Sequence, residues 1–148
     1  MPDRFNIRVY FILLDEHRLL VADEMIKGKP YTKFPGGGLE FGEGTIECVQ
    51  REAIEELGQA VEIVDHFYTT DFFMQSAFRE SDQIISIYYL ARLTAEQQFK
   101  SSERKFSFMQ TTDDEESFRW VNRTDLIDEE FTFPADKEVV RRLLLLQQ

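Results

Sequence analysis

The spacing of apolar and polar residues along the chain predicts four longer strands. Runs rich in β-branched and aromatic residues are typical of strands, and such runs occur at residues 5–14, 18–22, 61–73 and 84–93. Because the first two flank the turn-like residues 15–17, we expect them to pair as a hairpin. Shorter extended segments are predicted at 31–34, 106–109 and 118–121, with an acidic loop at 111–116.

Two other segments have the spacing of amphipathic helices. The first runs from Thr45 to Leu57 and is followed by Gly58, a residue favoured at helix C-termini. The second follows Phe133, with Pro134 near its first turn. Its buried side is predicted to contain Val139, Val140, Leu143, Leu144 and Leu146. A short helical turn is expected over 125–130, and the whole pattern predicts a mixed α+β fold with a mostly antiparallel sheet.

Composition and charge narrow the class of protein. The chain has 148 residues, of which 43% are hydrophobic, so we expect a single folded domain over residues 1–148. Its net charge of −11 argues against general nucleic-acid binding and against binding to anionic membranes. The single cysteine, Cys48, and the lack of a signal peptide or an apolar run of membrane-spanning length predict a cytoplasmic protein.

Acidic residues are concentrated between residues 37 and 59, where six glutamates and one arginine give a local charge of −5. On a helical wheel the apolar side of 45–58 contains Ile46, Val49, Ala53 and Leu57, with Ile54 at its edge. The other side contains Glu52, Glu55 and Glu56. A solvated acidic face is the simplest interpretation of this arrangement, because like charges at such spacing cost little on an exposed helix.

Three observations favour a divalent-cation site instead. No lysine is interleaved with these acids, whereas a solvated helix face usually carries charges of alternating sign. The i, i+4, i+8 spacing of Glu47, Arg51 and Glu55 predicts that the arginine lies between two acids. The glycines at 36–38 predict a turn or a close approach of bare backbone to another group. Converging oxygen ligands suit Mg²⁺ or Mn²⁺, with substrate phosphate completing the coordination.

The same residues resemble the signature of the Nudix hydrolase family, the Nudix box. Gly37 is followed after five residues by Glu43 and after seven more by REAIEELG. The family pattern has glycine, five residues, glutamate, seven residues and R-E-U-x-E-E-x-G-U, where U is a bulky apolar residue. Ala53 is small for its apolar position, and Gln59 is polar where an apolar residue is expected. The lead-in FPGGG at 34–38 also resembles the family, as does the order of strands and helices.

The resemblance implies a Nudix fold, with the sheet packed between the box helix and the C-terminal helix. It also implies Mg²⁺-dependent hydrolysis of a phosphoanhydride in a nucleoside triphosphate or in a nucleoside diphosphate linked to another moiety. The water would attack in line, activated by the metal. Carried over by position, the metal ligands would be Glu52, Glu55 and Glu56, with Glu43 and the Gly37 carbonyl nearby.

Catalytic roles also follow from the resemblance. Arg51 would orient the glutamates by ion pairing, with Glu43 as a partner, and would not touch substrate. The general base would be Glu55 or Glu56, or a residue outside the box: Glu115, Glu116 or Asp82.

Several cations are candidates for phosphate contacts. Lys33 precedes the glycines, and Arg8, together with the backbone at Gly36 and Gly38, is the next candidate. Lys27, Lys29 and Arg79 are further possibilities, and ordinary solvated cations are the alternative for all of them. The aromatic-rich stretch 66–78 is interpreted as core or as a homodimer interface, with a base-stacking platform as the alternative.

The remaining conspicuous residues predict little chemistry. His17 and His66 are isolated in sequence, which argues against a zinc site. Cys48 lies beside the acids, which would raise its thiol pKa, so it is interpreted as a small packing residue.

Other functions stay open at this point. A Nudix-fold nucleotide sensor without turnover is the main alternative, followed by an isoprenoid diphosphate isomerase and a plain acidic interaction domain. The proline that marks ADP-ribose enzymes is absent, because the next proline after Pro35 is Pro134. The tyrosine of dinucleoside polyphosphate enzymes and the array that marks NADH enzymes are absent too. By elimination, a nucleoside triphosphate or a nucleotide sugar is favoured.

Overall fold

A computed structural model describes residues 1–106 and 115–147. The strands are β1 (Arg4–Leu13), β2 (Arg18–Ile26), β3 (Lys29–Lys33), β4 (Gly36–Gly38), β5 (Val61–Thr69), β6 (Asp82–Leu93) and β7 (Glu116–Asn122). The helices are α1 (Thr45–Leu57) and α2 (Pro134–Leu145), with 3-10 turns at Arg123–Asp125 and Asp128–Glu130. Within these residues no helix is both long enough and apolar enough to cross a membrane.

The strands form two sheets, and their order confirms the mixed, mostly antiparallel α+β fold. One sheet has the order β4-β1-β6-β5 and the other has the order β3-β2-β7. β1 and β6 run parallel, from the pair Arg4 and Asp82 to the pair Leu13 and Ala91. The other strand pairs are antiparallel.

The predicted hairpin between the first two strands is wrong. β1 and β2 belong to different sheets, and in the described part of the chain they are joined by a single bridge between Leu14 and Leu19. The reason is that both edges of β1 are already occupied, one by β4 and the other by β6. The residues between them still turn as expected, because Asp15 accepts hydrogen bonds from the backbone and side chain of Arg18.

The predicted glycine turn is also wrong, whereas the predicted close approach is confirmed. Gly36, Gly37 and Gly38 form β4, which pairs with β1. A Cβ atom on Gly36 would lie 2.3 Å from the carbonyl oxygen of Val9, so a side chain cannot fit there. The glycines therefore allow backbone to lie against backbone, which is a role of glycine that does not require a turn.

Each helix covers one apolar cluster, which confirms the predicted packing of sheet between helices. α1 packs on a cluster that includes Val9, Phe11 and Leu13 of β1. α2 packs on a second cluster, which includes Tyr88 and Phe34. Residue Leu146, predicted to be buried, is 69% exposed because α2 ends one residue before it.

Val49, Ala53 and Leu57 are buried as the wheel predicted, but the two isoleucines of α1 are not. Ile46 and Ile54 are 44% and 52% exposed, while Cys48 is fully buried. The helix is therefore rotated so that part of its acidic side faces the sheet, and Glu52 and Glu56 are half-buried. This orientation is possible because β4, against which α1 packs, has no side chains.

Other boundaries differ in smaller ways. β5 ends at Thr69, so residues 70–73 lie outside the strand that was predicted to include them. Of the predicted strand 106–109, Phe106 lies in a turn, and 107–109 lie outside the described residues, as does most of the acidic loop at 111–116. Glu116 itself begins β7. Gln59, the polar residue in an apolar position, is buried and binds the backbone of Glu96 and Gln98 at 2.8 Å each.

Candidate active site

Arg51 is the centre of the acidic segment. Its Nε and Nη2 atoms donate to the two carboxylate oxygens of Glu43 at 2.9 and 2.8 Å. Its Nη1 atom donates to Glu52 at 3.0 Å and to Glu55 at 3.1 Å. A further bond of 3.0 Å reaches the carbonyl oxygen of Gly38. The predicted ion pairs with Glu43 and Glu55 are therefore present.

The predicted pairing of Arg51 with Glu47 is wrong. The carboxylate of Glu47 accepts a hydrogen bond of 2.9 Å from the backbone N–H of Gly44, the N-cap of α1. That bond satisfies one of the N–H groups that a helix leaves unpaired at its start. The acid is used to begin the helix, and Glu43 from the preceding loop takes the place next to the guanidinium.

The pKa values of two groups next to Arg51, the carboxylate of Glu43 and the thiol of Cys48, are shifted. Hydrogen bonds from Arg51 lower the pKa of Glu43 to about 2. Burial raises the pKa of the Cys48 thiol to about 12, and the adjacent Glu43 carboxylate adds to this effect. Cys48 therefore stays protonated, in agreement with its interpretation as a packing residue.

Glu56 has the opposite environment. Its Oε2 atom is buried and has no hydrogen-bond partner among the described residues. Burial raises the pKa of Glu56 to about 9, and the negative charge of Glu116 contributes. Burial also raises the pKa of Glu116 to about 7, with a contribution from Glu24. A buried acid without a hydrogen-bond partner costs free energy unless it is protonated or meets a cation.

Glu52 lies against the bare backbone of β4. A Cβ atom on Gly37 would be 2.2 Å from the Oε1 atom of Glu52. Glycine at this position therefore makes room for the carboxylate next to a main-chain carbonyl. Carboxylate and carbonyl oxygens are the ligands that Mg²⁺ and Mn²⁺ favour, and the unpaired oxygen of Glu56 is the observation in this structure that fits a cation.

In the described part of the chain, the acidic side chains do not form a complete coordination shell for a metal ion. Over residues 1–106 and 115–147, no group of three or more histidine, cysteine, aspartate or glutamate side chains is arranged to hold a metal ion. The bonds from Arg51 to Glu52 and Glu55 explain part of this spread, because they draw both carboxylates to the guanidinium. A cation that bound here would have to compete with Arg51 for these two acids.

A cleft of about 1270 Å³ opens beside the acids. Its floor is one face of the parallel β1–β6 pair, where side chains of alternate residues point to the same side. These floor residues are Arg4, Asn6, Arg8, Tyr10, Asp82, Ile84, Ser86 and Tyr88. The walls come from the segment 72–79, the start of α2, and residues of β2 and β3.

Three of the predicted phosphate-binding cations line this cleft: Lys33, Arg8 and Arg79. Burial disfavours the charge on Lys33, but Glu24 at 2.8 Å outweighs it and raises the lysine pKa. Arg8 donates from Nε to the hydroxyl of Tyr10 at 3.1 Å, and its guanidinium lies about 3.4 Å from the place a Cβ on Gly38 would take. Gly36 remains enclosed by the backbone of β1.

The other cations are arranged less favourably. Arg79 lines the cleft, and Lys27 lies over the ring of Phe78 at 5.8 Å. Lys29 is exposed at the start of β3.

The aromatic stretch divides between core and cleft. Tyr68 is buried in the core, as predicted, whereas Phe72, Phe73 and Phe78 are exposed and line the cleft. Beyond them, Tyr31 stacks on Phe133 with parallel rings 5.4 Å apart. The core interpretation therefore holds for Tyr68 and not for these three exposed phenylalanines.

The sequence analysis did not predict the end of the cleft that is formed by Tyr88 and Asp136. There the hydroxyl of Tyr88 donates to the carboxylate of Asp136 at 2.5 Å, and both residues line the cleft. Burial raises the pKa of Asp136 to about 7. The sequence signal that could have identified Asp136 is its position as a charged residue in the first turn of a helix with an apolar side. Glu24, the partner of Lys33, was missed as well.

The remaining candidates lie elsewhere. Asp82 binds Arg4 and Asn6 at the start of β6, whereas the charge of Glu116 contributes to the raised pKa of Glu56, so Glu116 is the better placed of the outside carboxylates. The carbonyl of Glu115 accepts the N–H of Met25 at 2.9 Å. His17 and His66 are exposed, and neither belongs to a metal-binding group in the described part of the chain.

Comparisons with known proteins agree with this geometry. A family profile described as NUDIX domain matches residues 4–143. The fold is similar to a NUDIX hydrolase from Nitrosomonas europaea, with a TM-score of 0.68, 15% identity, and coverage of 100% of this chain and 92% of that chain. It is also similar to a MutT protein from Methanosarcina mazei Go1, with a TM-score of 0.69, 18% identity, and coverage of 100% and 99%.

A third solved structure is described as a UDP-X diphosphatase. The two folds superimpose with a TM-score of 0.62 at 14% identity, and the match covers 100% of this chain and 65% of that chain. A search of curated proteins gives no match. Since the family profile covers nearly the whole sequence, the chain belongs to the Nudix family.

Proposed function

We propose that this protein is a divalent-metal-dependent hydrolase of a phosphoanhydride bond in a nucleotide-type substrate. The substrate would be a nucleoside triphosphate or a nucleoside diphosphate linked to another moiety. The observation that carries the proposal is the buried Oε2 atom of Glu56, which has no hydrogen-bond partner within residues 1–106 and 115–147. It lies near Glu116 and near the Glu52–Gly37 contact. Such an oxygen is stabilised by a cation, and an acidic protein needs a cation before it can bind phosphates.

The residues that would hold Mg²⁺ or Mn²⁺ are Glu52 and Glu56, with Glu55, Glu43 and the Gly37 carbonyl close by. When bound, such an ion supplies charge neutralisation of the phosphates and a lower pKa for bound water. Arg51 keeps the glutamates oriented through its bonds to Glu43, Glu52 and Glu55. It is a positioning residue, because its hydrogen bonds go to these glutamates and to the carbonyl oxygen of Gly38.

A proton from the attacking water needs an acceptor near the acids. Glu56 and Glu116 are the candidates, because each is half-buried and burial raises the pKa of each. The charge of Glu116 adds to the raised pKa of Glu56. Arg8 and Lys33 would contact the phosphates, and the aromatic residues of the cleft would stack on the base.

The wider assignment follows from the same features. We expect one domain over residues 1–148 in the cytoplasm, acting on a small molecule and not on nucleic acid or membrane, since the net charge is −11. A homodimer is a further expectation, for which exposed apolar residues such as Val64 on the edge strand β5 leave room.

The test is release of phosphate or pyrophosphate from triphosphates, nucleotide sugars and dinucleotides, with Mg²⁺ and with EDTA. Wild type is compared with Glu56→Gln, and with Glu16→Gln as a control at an exposed loop acid. We expect Mg²⁺-dependent turnover that falls on the order of 100-fold in Glu56→Gln and is unchanged in the control. Nucleotide binding without turnover of any substrate would contradict the proposal and favour a sensor.

A further inference from the structure

The two acids proposed to accept the water proton are carried by different parts of the fold. Glu56 lies on α1, which packs on the sheet β4-β1-β6-β5, whereas Glu116 begins β7 of the other sheet. The sheets are joined by the bridge between Leu14 and Leu19, and by the chain at 34–35 between β3 and β4. Both connections reach β7 through β2, so the position of Glu116 relative to α1 depends on what contacts β7 directly.

Residues 95–106, which we call the strap, contact β7 along its outer edge. The N–H of Ser102 donates to the carbonyl oxygen of Phe118 at 2.8 Å. The ring of Phe99 packs on the rings of Phe118 and Trp120, with centroids 6.2 and 6.4 Å apart. The strap is therefore fixed to β7 by a backbone hydrogen bond and by aromatic packing.

The C-terminal end of the strap is fixed to the same sheet by a buried acid. The N–H of Phe106 donates to Oδ2 of Asp23 at 3.1 Å, and the same oxygen accepts Nε of Arg119 at 2.7 Å. Asp23 is fully buried, and its other oxygen accepts the hydroxyl of Thr32 at 2.9 Å. Asp23 of β2 thus joins the strap to β3 and β7 at one point.

The N-terminal end of the strap is fixed to the end of α1 by one side chain, Gln59. This residue follows Gly58, the left-handed C-cap of α1, and is 7% exposed. Its Nε2 atom donates to the carbonyl oxygen of Glu96 at 2.8 Å, and its Oε1 atom accepts the N–H of Gln98 at 2.8 Å. An amide that both donates and accepts pairs with the strap as a neighbouring strand would. The apolar residue of the Nudix pattern could fill this position but could form neither bond.

Gln97 lies between the two residues that Gln59 binds and connects the strap to β7. Its Oε1 atom accepts the indole N–H of Trp120 at 2.8 Å, and its Nε2 atom donates to the carbonyl oxygen of Phe99 at 2.8 Å. Gln59 and Gln97 therefore act in series. The first joins α1 to the strap, and the second joins the strap to β7.

We propose that Gln59 is a positioning residue, which sets the distance between Glu56 and Glu116 through the strap. The inference rests on the proposed function in assigning these two acids to proton transfer. Apolar packing between α1 and the sheets is not directional, whereas hydrogen bonds are. The two bonds from Gln59 therefore fix a position that packing alone leaves free. A proton acceptor at the wrong distance from the reacting water slows turnover without weakening substrate binding.

Pulsed EPR measures this position without any substrate. Nitroxides are attached to Gln50→Cys on α1 and Asn122→Cys on β7, both exposed positions, in a Cys48→Ala background. Gln59→Leu removes both bonds to the strap, and we expect it to broaden or shift the distance distribution between the labels. The matched control is Gln98→Leu, because the exposed side chain of Gln98 forms no hydrogen bond within the described ranges. It should keep the wild-type distribution.

Steady-state kinetics with the best substrate test the effect on the site. We expect kcat to fall about tenfold in Gln59→Leu and in Gln97→Leu, with KM changed by less than about twofold. The double variant should be no slower than the slower single variant, because two contacts in series are not additive. Gln98→Leu should keep the wild-type kcat. If Gln59→Leu does not fold, Gln97→Leu tests the same connection from its other end.

An unchanged distance distribution in Gln59→Leu would overturn the inference, as would a changed distribution with unchanged kcat. Additive losses in the double variant would also overturn it, because the two glutamines would then act separately. A wild-type protein that turns over no substrate would overturn the proposed function instead. In that case a changed distribution in Gln59→Leu would still support the role of Gln59 in fixing β7 relative to α1.

Discussion

Arg51 and Glu43 are joined by two hydrogen bonds, 2.9 Å from Nε to Oε2 and 2.8 Å from Nη2 to Oε1. The planar guanidinium fits a carboxylate in this bidentate way, which a lysine ammonium cannot reproduce. The same side chain binds Glu52 and Glu55 on α1. One arginine therefore fixes the loop before the helix and the acidic side of the helix relative to each other.

For Arg51→Lys we expect kcat to fall at least about tenfold, with KM for the nucleotide changed by less than about threefold. The reason is that Arg51 acts by orienting the glutamates that it binds. Steady-state kinetics measure both constants. Arg92→Lys is the matched control, since Arg92 also binds one glutamate but on the exposed side of the sheet. A loss confined to KM would contradict this role for Arg51.

Gly37→Ala should disable the site without unfolding the protein. The new Cβ would lie 2.2 to 2.7 Å from the carboxylate of Glu52, so that side chain has to move. We expect turnover to fall by on the order of 100-fold and the Mg²⁺ concentration needed for half-maximal rate to rise. Gly38→Ala is the comparison, because its Cβ would meet Arg8 at 3.4 Å, an ordinary contact. Equal Mg²⁺ requirements in the two variants would argue against the importance of the Glu52 position.

Mg²⁺ affinity should rise with pH from about 6 to about 9. The pKa values of Glu116 and Glu56 are raised to about 7 and about 9 in the metal-free protein, and a carboxylate must lose its proton before it binds a metal. Calorimetry in buffers of different ionisation enthalpy would show protons released on binding at pH 7. Glu56→Gln should release fewer protons. An affinity that does not change over this range would contradict the predicted protonation.

The raised pKa of Asp136 predicts that the free energy of unfolding depends on pH. Burial raises its pKa from 3.8 to about 7 in the folded protein, so the folded state holds a proton that the unfolded state has lost. The contribution to stability is complete below about pH 4 and is lost as pH rises through 7. Relative to Asp136→Asn, the free energy of unfolding of the wild type should fall by on the order of 4 kcal/mol between pH 4 and 8. Urea titrations at each pH measure this difference.

The control for this prediction is Asp3→Asn, which changes an exposed acid. Its difference from wild type should stay nearly constant over the same pH range. A constant difference for Asp136→Asn as well would show that Asp136 titrates normally in the folded protein.

The helices were predictable because their signals are local. The bounds of α1 follow from the spacing of Val49, Ala53 and Leu57 and from the left-handed Gly58 at its end. The acids of the site were predictable for the same reason, since their spacing lies within one short segment. The exposure of Ile46 and Ile54 was not predictable, because the rotation of α1 depends on the bare surface of β4 against which Glu52 lies.

Strand partners were not predictable from local signals. β1 and β2 have the pattern of a hairpin, yet each pairs with strands far away in sequence, β6 and β7. Partner choice depends on which edges remain free once the whole sheet is formed, and no short segment contains that information. The same limit applies to the cleft, whose floor combines β1 with β6 and whose polar end joins Arg4 to Asp82.

The position of β1 also affects how the chain is made. This strand is made before the other strands of its sheet but lies inside that sheet, and its parallel partner β6 ends at Leu93. At synthesis rates of about 5–20 residues per second, β1 waits several seconds or more with one apolar face exposed. Its first available neighbour is the glycine strand β4, which offers backbone bonds but little apolar cover. The nascent chain is therefore most vulnerable to aggregation before β6 emerges, and a chaperone that binds extended apolar segments would act in that interval.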